Sequence, residues 1–238
     1  PTNYPSSSMD NSSSSYAFAN QIIDTTRISW LQLKVFLVCF LMNALDGMDV
    51  LVISYAAPML AQQWSISPTA LGTVFSGGLL GMAIGAMLIA PLADRIGRRK
   101  MILISVILTG SAVSLTALAP GLNTLIFLRF VSGLGIGSML ASVATMAAEF
   151  APDRRRNLIL GAVLAGYPIG ATLFGLIAAD VIPAYGWRSI FMIAGVTTLA
   201  TLPLVWILLP ESLSFLLRVQ PFNALTQVNK ILRRMDVT

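Results

Sequence analysis

The sequence predicts an all-α membrane protein with six transmembrane helices, and three observations carry that reading. Of the 238 residues, 56% are hydrophobic and 11% charged, whereas a soluble domain is about 25% charged and 45–50% apolar. The apolar residues gather into six runs, each long enough to cross a ~30 Å hydrocarbon core as a helix. The basic residues alternate between the connections, as they do when successive spans run in opposite directions. Together these exclude a water-soluble enzyme.

The elements follow in order. Residues 1–26 are rich in Ser and Asn, lack apolar periodicity and are expected to form a disordered cytoplasmic tail. They do not fit a signal peptide, having neither a basic start nor a compact apolar stretch. A transmembrane domain is expected over 27–209, its runs being Val35–Leu60, Thr69–Leu92, Met101–Ala119, Leu122–Phe150, Leu158–Ala179 and Ser189–Leu209. In lipid every backbone polar group needs an internal partner, so each run is helical. Small residues such as Gly77, Gly78, Gly81 and Gly85 let helix backbones approach closely. Residues 210–238 place Phe215, Leu216, Leu217, Ile231 and Leu232 among Arg218, Lys230, Arg233 and Arg234, the pattern of a cytoplasmic amphipathic linker at the interface. Runs one to three and four to six share one rhythm of spans and connections, which suggests a three-plus-three arrangement.

Orientation comes from the cations. Of 15 Lys and Arg, all except Arg129 and Arg188 fall in the tail, the connections after runs two and four, and the C-terminal segment. The positive-inside rule then puts both termini in the cytoplasm and accounts for the net charge of +5 without a nucleic-acid partner. Histidine is absent, and the single cysteine, Cys39, lies within an apolar run. That excludes a disulfide framework, a thiolate or imidazole zinc site and a Ser-His or Cys-His nucleophile; no cofactor or metal is expected.

Charge inside the membrane is the main functional signal. Asn43, Asp46 and Asp49 stand three residues apart in the first run and form one polar stripe on a helix. An acid at the bilayer centre costs about 2.5–3.5 kcal/mol on insertion scales, so two of them need a wet cavity or a cation. The candidate cation is Arg129. At 1.5 Å per residue, Asp49 and Asp46 lie ~16 and ~21 Å below the Leu60 end of their run, and Arg129 lies ~10 Å below Leu122 on the same side. Its long stem reaches deeper, so the three groups are expected to face one central cavity. Two blander readings stand beside this: an interfacial break at Gly47 would place both acids near the surface, and Arg129 alone would snorkel. If a substrate anion competes for Arg129, an aspartate loses its counter-ion and takes a proton more readily, which is symport in outline.

Between runs two and three the chain reads Ala90-Pro91-Leu92-Ala93-Asp94-Arg95-Ile96-Gly97-Arg98-Arg99-Lys100. This Asp-Arg-x-Gly-Arg-Arg loop resembles the signature of the major facilitator superfamily of secondary transporters. Arg129 with Gly133, Gly135 and Gly137 resembles its fourth-helix pattern, where the arginine is tied to proton coupling. Glu149 to Pro152 with Arg156, Gly186-Trp187-Arg188 and Pro210-Glu211-Ser212 fit as well, so the resemblance covers about residues 30 to 235. Two positions depart from it. Ala90 stands where the loop motif usually has glycine, and Tyr167 interrupts the Gly-Pro pattern of drug antiporters in Gly166-Tyr167-Pro168-Ile169-Gly170. Asp46-Gly47-Met48-Asp49 resembles the Asp-Gly-x-Asp signature of the aromatic acid/proton symporter family.

The resemblance implies nested 3+3 inverted repeats in each six-helix half, with this chain as the N-terminal half and a C-terminal half or a second copy as its partner. It implies import of a small organic anion, an aromatic carboxylate of benzoate or hydroxybenzoate type, with protons across a bacterial inner membrane. It also implies a cytoplasmic charge network of Asp94, Arg95, Gly97, Arg98, Arg99, Glu149 and Arg156 that is made in one access state and broken in the other. A superfamily porter for a sugar or other metabolite is the nearest alternative, and a truncated non-transporting half another. An intramembrane aspartyl protease would need acids on two helices, whereas both acids here lie in run one.

Overall fold

The computed structural model describes residues 28–220, 226–228, 231 and 233. The expected tail, and all but a few positions beyond residue 220, lie outside the described residues. Six membrane-length helices are present: α1 Trp30–Trp64, α2 Pro68–Ile96, α3 Arg98–Thr116, α4 Leu122–Phe150, α5 Asp153–Tyr185 and α6 Trp187–Leu208. A short α7 follows at Leu213–Val219. α1 and α5 extend past their apolar runs at both ends.

The caps are local and legible. Ser29 accepts from the Gln32 backbone N–H while the Gln32 side chain accepts from that of Ser29, a reciprocal capping box that starts α1. Ser67 caps α2, with Pro68 at its first position. Near the basic loop α2 widens into a π turn at Gly85–Ile89 and tightens into a 3-10 turn at Ala90–Leu92. Pro91, which has no N–H to give and crowds the preceding turn, lies where the helix register changes. Gly97 then ends α2 at φ +100° and Gly186 ends α5 at φ +80°, both in the region that favours glycine.

Packing reveals the repeat. The α1·α5 and α2·α4 pairs are both extensive, and α3 packs on α4 and α6. Exchanging α1 with α4 and α2 with α5 maps the first two pairs onto each other. Direction completes the inversion: Gln32 Nε2, at the start of α1, donates to the carbonyl of Phe150, at the end of α4 (2.9 Å). Both crossings run through glycines. A Cβ on Gly47 or Gly170 would stand 2.0 Å from the carbonyl oxygen of Tyr167 or Ala44, and one on Gly81 or Gly137 would stand 2.2 or 2.1 Å from that of Phe130 or Met82. Such contacts need bare backbone on one side.

The connections form two layers. On the face opposite the basic loops, Trp187 Nε1 donates to Gln63 Oε1 (2.6 Å) and its ring meets Trp64 edge-on at 5.4 Å. Arg188 donates to the Ala117 carbonyl at 2.7 Å, so α1, α3 and α6 are tied at that end. α2 and α5 are the least buried spans.

Candidate functional site

Asp49 and Arg129 meet. Both line a cavity of about 190 Å³ between α1, α2 and α4, whose other walls include Val74, Phe75, Met82 and Ile136. Arg129 is 3% exposed, and its guanidinium lies 5.1 Å from the centre of the Phe191 ring of α6. Its Nη1 donates to the backbone carbonyl of Asp49 at 3.2 Å, while Nε and Nη2 are buried without a hydrogen-bond partner. Those two N–H groups form the planar edge that receives a carboxylate by two parallel hydrogen bonds. The Asp49 carboxylate does not take it. Its Oδ2 accepts from Thr198 Oγ1 of α6 at 3.0 Å, and Oδ1 has no hydrogen-bond partner.

Asp46 and Asn43 occupy a different setting. Asp46 is 0% exposed, neither of its oxygens has a hydrogen-bond partner, and neither does the amide of Asn43. The cavity wall includes Asp49 and Arg129 but not Asp46 or Asn43. They sit instead where α1 crosses α5: Tyr167 stands within electrostatic reach of Asp46, and a Cβ on Gly166 would lie 3.3 Å from that of Asn43. The stripe expected on one helix face is present, but its members meet different neighbours.

The basic face carries a linked set of charges. Arg98 bonds Asp94 at 3.2 Å, and its Nε lies 3.4 Å from Glu149 Oε1. Glu149 Oε2 accepts from Ser212 Oγ at 2.6 Å, so α2, α3, α4 and the start of α7 converge. Gly97 provides the bend between Asp94 and Arg98. The Arg99 guanidinium donates to the Trp206 carbonyl and lies over the Trp206 ring at 4.8 Å. Arg95 is exposed, and Arg156 pairs with Asp153 one turn away, not with Glu149.

Four contributors escape the sequence reading. Glu211 accepts from the Arg99 backbone N–H at 3.0 Å, an anion at the open N-terminus of α3. In the sequence it stands only as the middle of Pro210-Glu211-Ser212. Phe191 and Thr198 come from α6, where Phe191, Ala194, Gly195 and Thr198 form a buried i, i+3, i+4, i+7 face. That spacing was the available signal. Phe75 is the aromatic wall of the cavity.

Known proteins bear on this arrangement. The chain is 40% identical over 198 residues to the gallate transporter of Pseudomonas putida, covering 82% of this chain and 43% of that protein. It is 38% identical over 194 residues to a 4-hydroxybenzoate transporter of the same species, with 82% and 43% covered. The benzoate transport protein of Acinetobacter baylyi is 30% identical over 204 residues, with 84% and 44% covered. The chain thus spans less than half the length of these curated relatives. Among solved structures, the proton:xylose symporter XylE superposes with a TM-score of 0.75 at 22% identity, over 88% of this chain and 50% of that one. The inward-open xylose transporter XylE from E. coli gives 0.70 at 24%, over 84% and 52%. At that identity the likeness speaks for the fold, and the family follows from sequence. The Major Facilitator Superfamily profile matches residues 39–234, nearly all of the six-helix unit, and the chain belongs to that superfamily.

Proposed function

We propose that the full-length protein imports an aromatic carboxylate together with protons. The observation that carries this reading is the Arg129 edge: a buried guanidinium with Nε and Nη2 unfilled, at the wall of a cavity lined mainly by apolar side chains. An aromatic ring gains by leaving water for such walls, and its carboxylate fills the two donors. The names of the relatives support an aromatic acid over a sugar.

The coupling follows from charge. A substrate carboxylate on Arg129 brings a second anion beside Asp49, which favours proton uptake there. Asp46, one turn away and without a partner, is the second carrier, and Asn43 extends the polar stripe. One monoanion with one proton moves no net charge, whereas a second proton also draws on the membrane potential at about 2.3 kcal/mol per 100 mV. In this reading the protein lies in a bacterial inner membrane with both termini cytoplasmic. A second six-helix unit completes the cavity in this reading, and the relatives, of which this chain covers 43%, are long enough to hold one.

Uptake of labelled 4-hydroxybenzoate and of a neutral sugar by cells expressing the full-length gene product tests this. Saturable 4-hydroxybenzoate uptake abolished by a protonophore is the expected outcome; sugar uptake without aromatic-acid uptake would overturn it. The set formed by Asp94, Arg98, Glu149 and Ser212 acts as a latch that holds one access state, with Arg95, Gly97, Arg99 and Arg156 as its surroundings. Asp94→Lys places a cation against Arg98 and should slow uptake severalfold at unchanged membrane abundance; unaltered rates would reduce these residues to topology signals.

A further inference from the structure

The hydrogen bond from Thr198 to Asp49 has a consequence for ligand binding. Thr198 is fully buried, and its Oγ1 holds Asp49 Oδ2 at 3.0 Å. The Nε and Nη2 groups of Arg129 are unfilled among the described residues, as is Asp49 Oδ1. Arg129 is already joined to the Asp49 backbone through Nη1, so the carboxylate and the empty edge belong to neighbouring groups. A carboxylate free to turn would close on that edge, because a bidentate ion pair is worth more than two unfilled buried groups. Thr198 holds one oxygen of that carboxylate, and its own mount is firm. A Cβ on Gly195, three residues before it, would come within 2.5 Å of the Ser114 backbone nitrogen, so α6 is seated directly on α3.

We propose that Thr198 is a positioning residue whose hydrogen bond keeps the Asp49 carboxylate off Arg129 and so leaves the guanidinium edge open to a carboxylate ligand. This rests on the reading of Arg129 as the carboxylate receptor. The charged groups around Asp49 are Arg129 from α4 and Asp46 on its own helix, and Tyr167 of α5 lies within electrostatic reach of Asp46. The cavity wall from α2 and the Phe191–Thr198 face of α6 bring apolar side chains and one hydroxyl.

Equilibrium binding of benzoate and of its neutral isostere benzamide to the purified full-length protein tests the proposal. Thr198→Val should weaken benzoate roughly tenfold, as Asp49 becomes an internal competitor, and leave benzamide within about twofold, since benzamide has no charge to lose. Thr198→Ser, which keeps the hydroxyl, should bind both as the wild type does. Thr198→Ala carries the same expectation as valine if the valine variant does not fold. Equal weakening of benzoate and benzamide, an unchanged benzoate affinity in Thr198→Val, or the same loss in Thr198→Ser would each overturn it. If the folded wild type fails to bind benzoate, the carboxylate reading falls and this proposal with it.

Discussion

Arg129→Lys is expected to weaken benzoate binding by roughly ten- to a hundredfold while leaving benzamide little changed. Lysine keeps the charge and much of the stem, so a point-charge role would survive the change. It lacks the planar Nε/Nη2 edge, which is unfilled beside Asp49. Losing a charge-assisted bidentate contact costs about 1.5–3 kcal/mol, and that sets the range. Lysine also gives up the contact with the Phe191 face, which lies 5.1 Å from the guanidinium carbon. The measurement is a pair of binding isotherms on purified full-length protein. Equal loss for benzoate and benzamide would mean that Arg129 supports the helix packing and does not receive the ligand.

Gly137→Ala is expected to destabilise the protein strongly, and Gly170→Ala at least as much. Its Cβ would stand 2.1 Å from the Met82 carbonyl oxygen and 2.8 Å from the carbonyl carbon, both backbone atoms of α2 that cannot rotate away. Overpacking of this kind costs about 1–3 kcal/mol or more, and here relief requires α2 and α4 to separate. Gly170→Ala makes the corresponding clash at 2.0 Å with the Ala44 carbonyl oxygen, across α1 and α5. Gly161→Ala is the comparison, because nothing lies within 4 Å of its Cβ and alanine is the better helix former by about 1 kcal/mol. Thermal unfolding in detergent should place Gly137→Ala and Gly170→Ala well below the wild type and Gly161→Ala at or above it. Similar melting points for all three would show that the crossings yield.

How much of this could be read from the chain differs by residue. The six spans were legible because lipid leaves apolar runs of that length no choice but helix; their ends were not, since the first run starts at Val35 where the helix starts at Trp30, and the fifth stops at Ala179 where the helix stops at Tyr185. Arg156 illustrates the limit: the resemblance places it with Glu149 in one charge network, whereas its ion pair is with Asp153, one turn away. Glu211 was visible as a residue and invisible as an anion at the start of α3, since that requires α3 and the end of α6 to be neighbours.

The stripe of Asn43, Asp46 and Asp49 divides most clearly what each level determines. Helical periodicity by itself puts the three side chains on one face and makes them costly in lipid, which is enough to nominate a region, while depth along the spans nominates Arg129 as the counter-ion. Tertiary structure alone decided that Asp49 belongs with Arg129 and Thr198 while Asp46 belongs with the α5 crossing. One face of a helix touches several neighbours along its length, and which neighbour stands beside each turn depends on helix crossings that need close-approach glycines on both partners, Gly47 beside the stripe and Gly170 on α5 among them. The Thr198 to Asp49 bond joins residues 149 positions apart; no local pattern encodes it, because its geometry exists only once α1, α4 and α6 have packed.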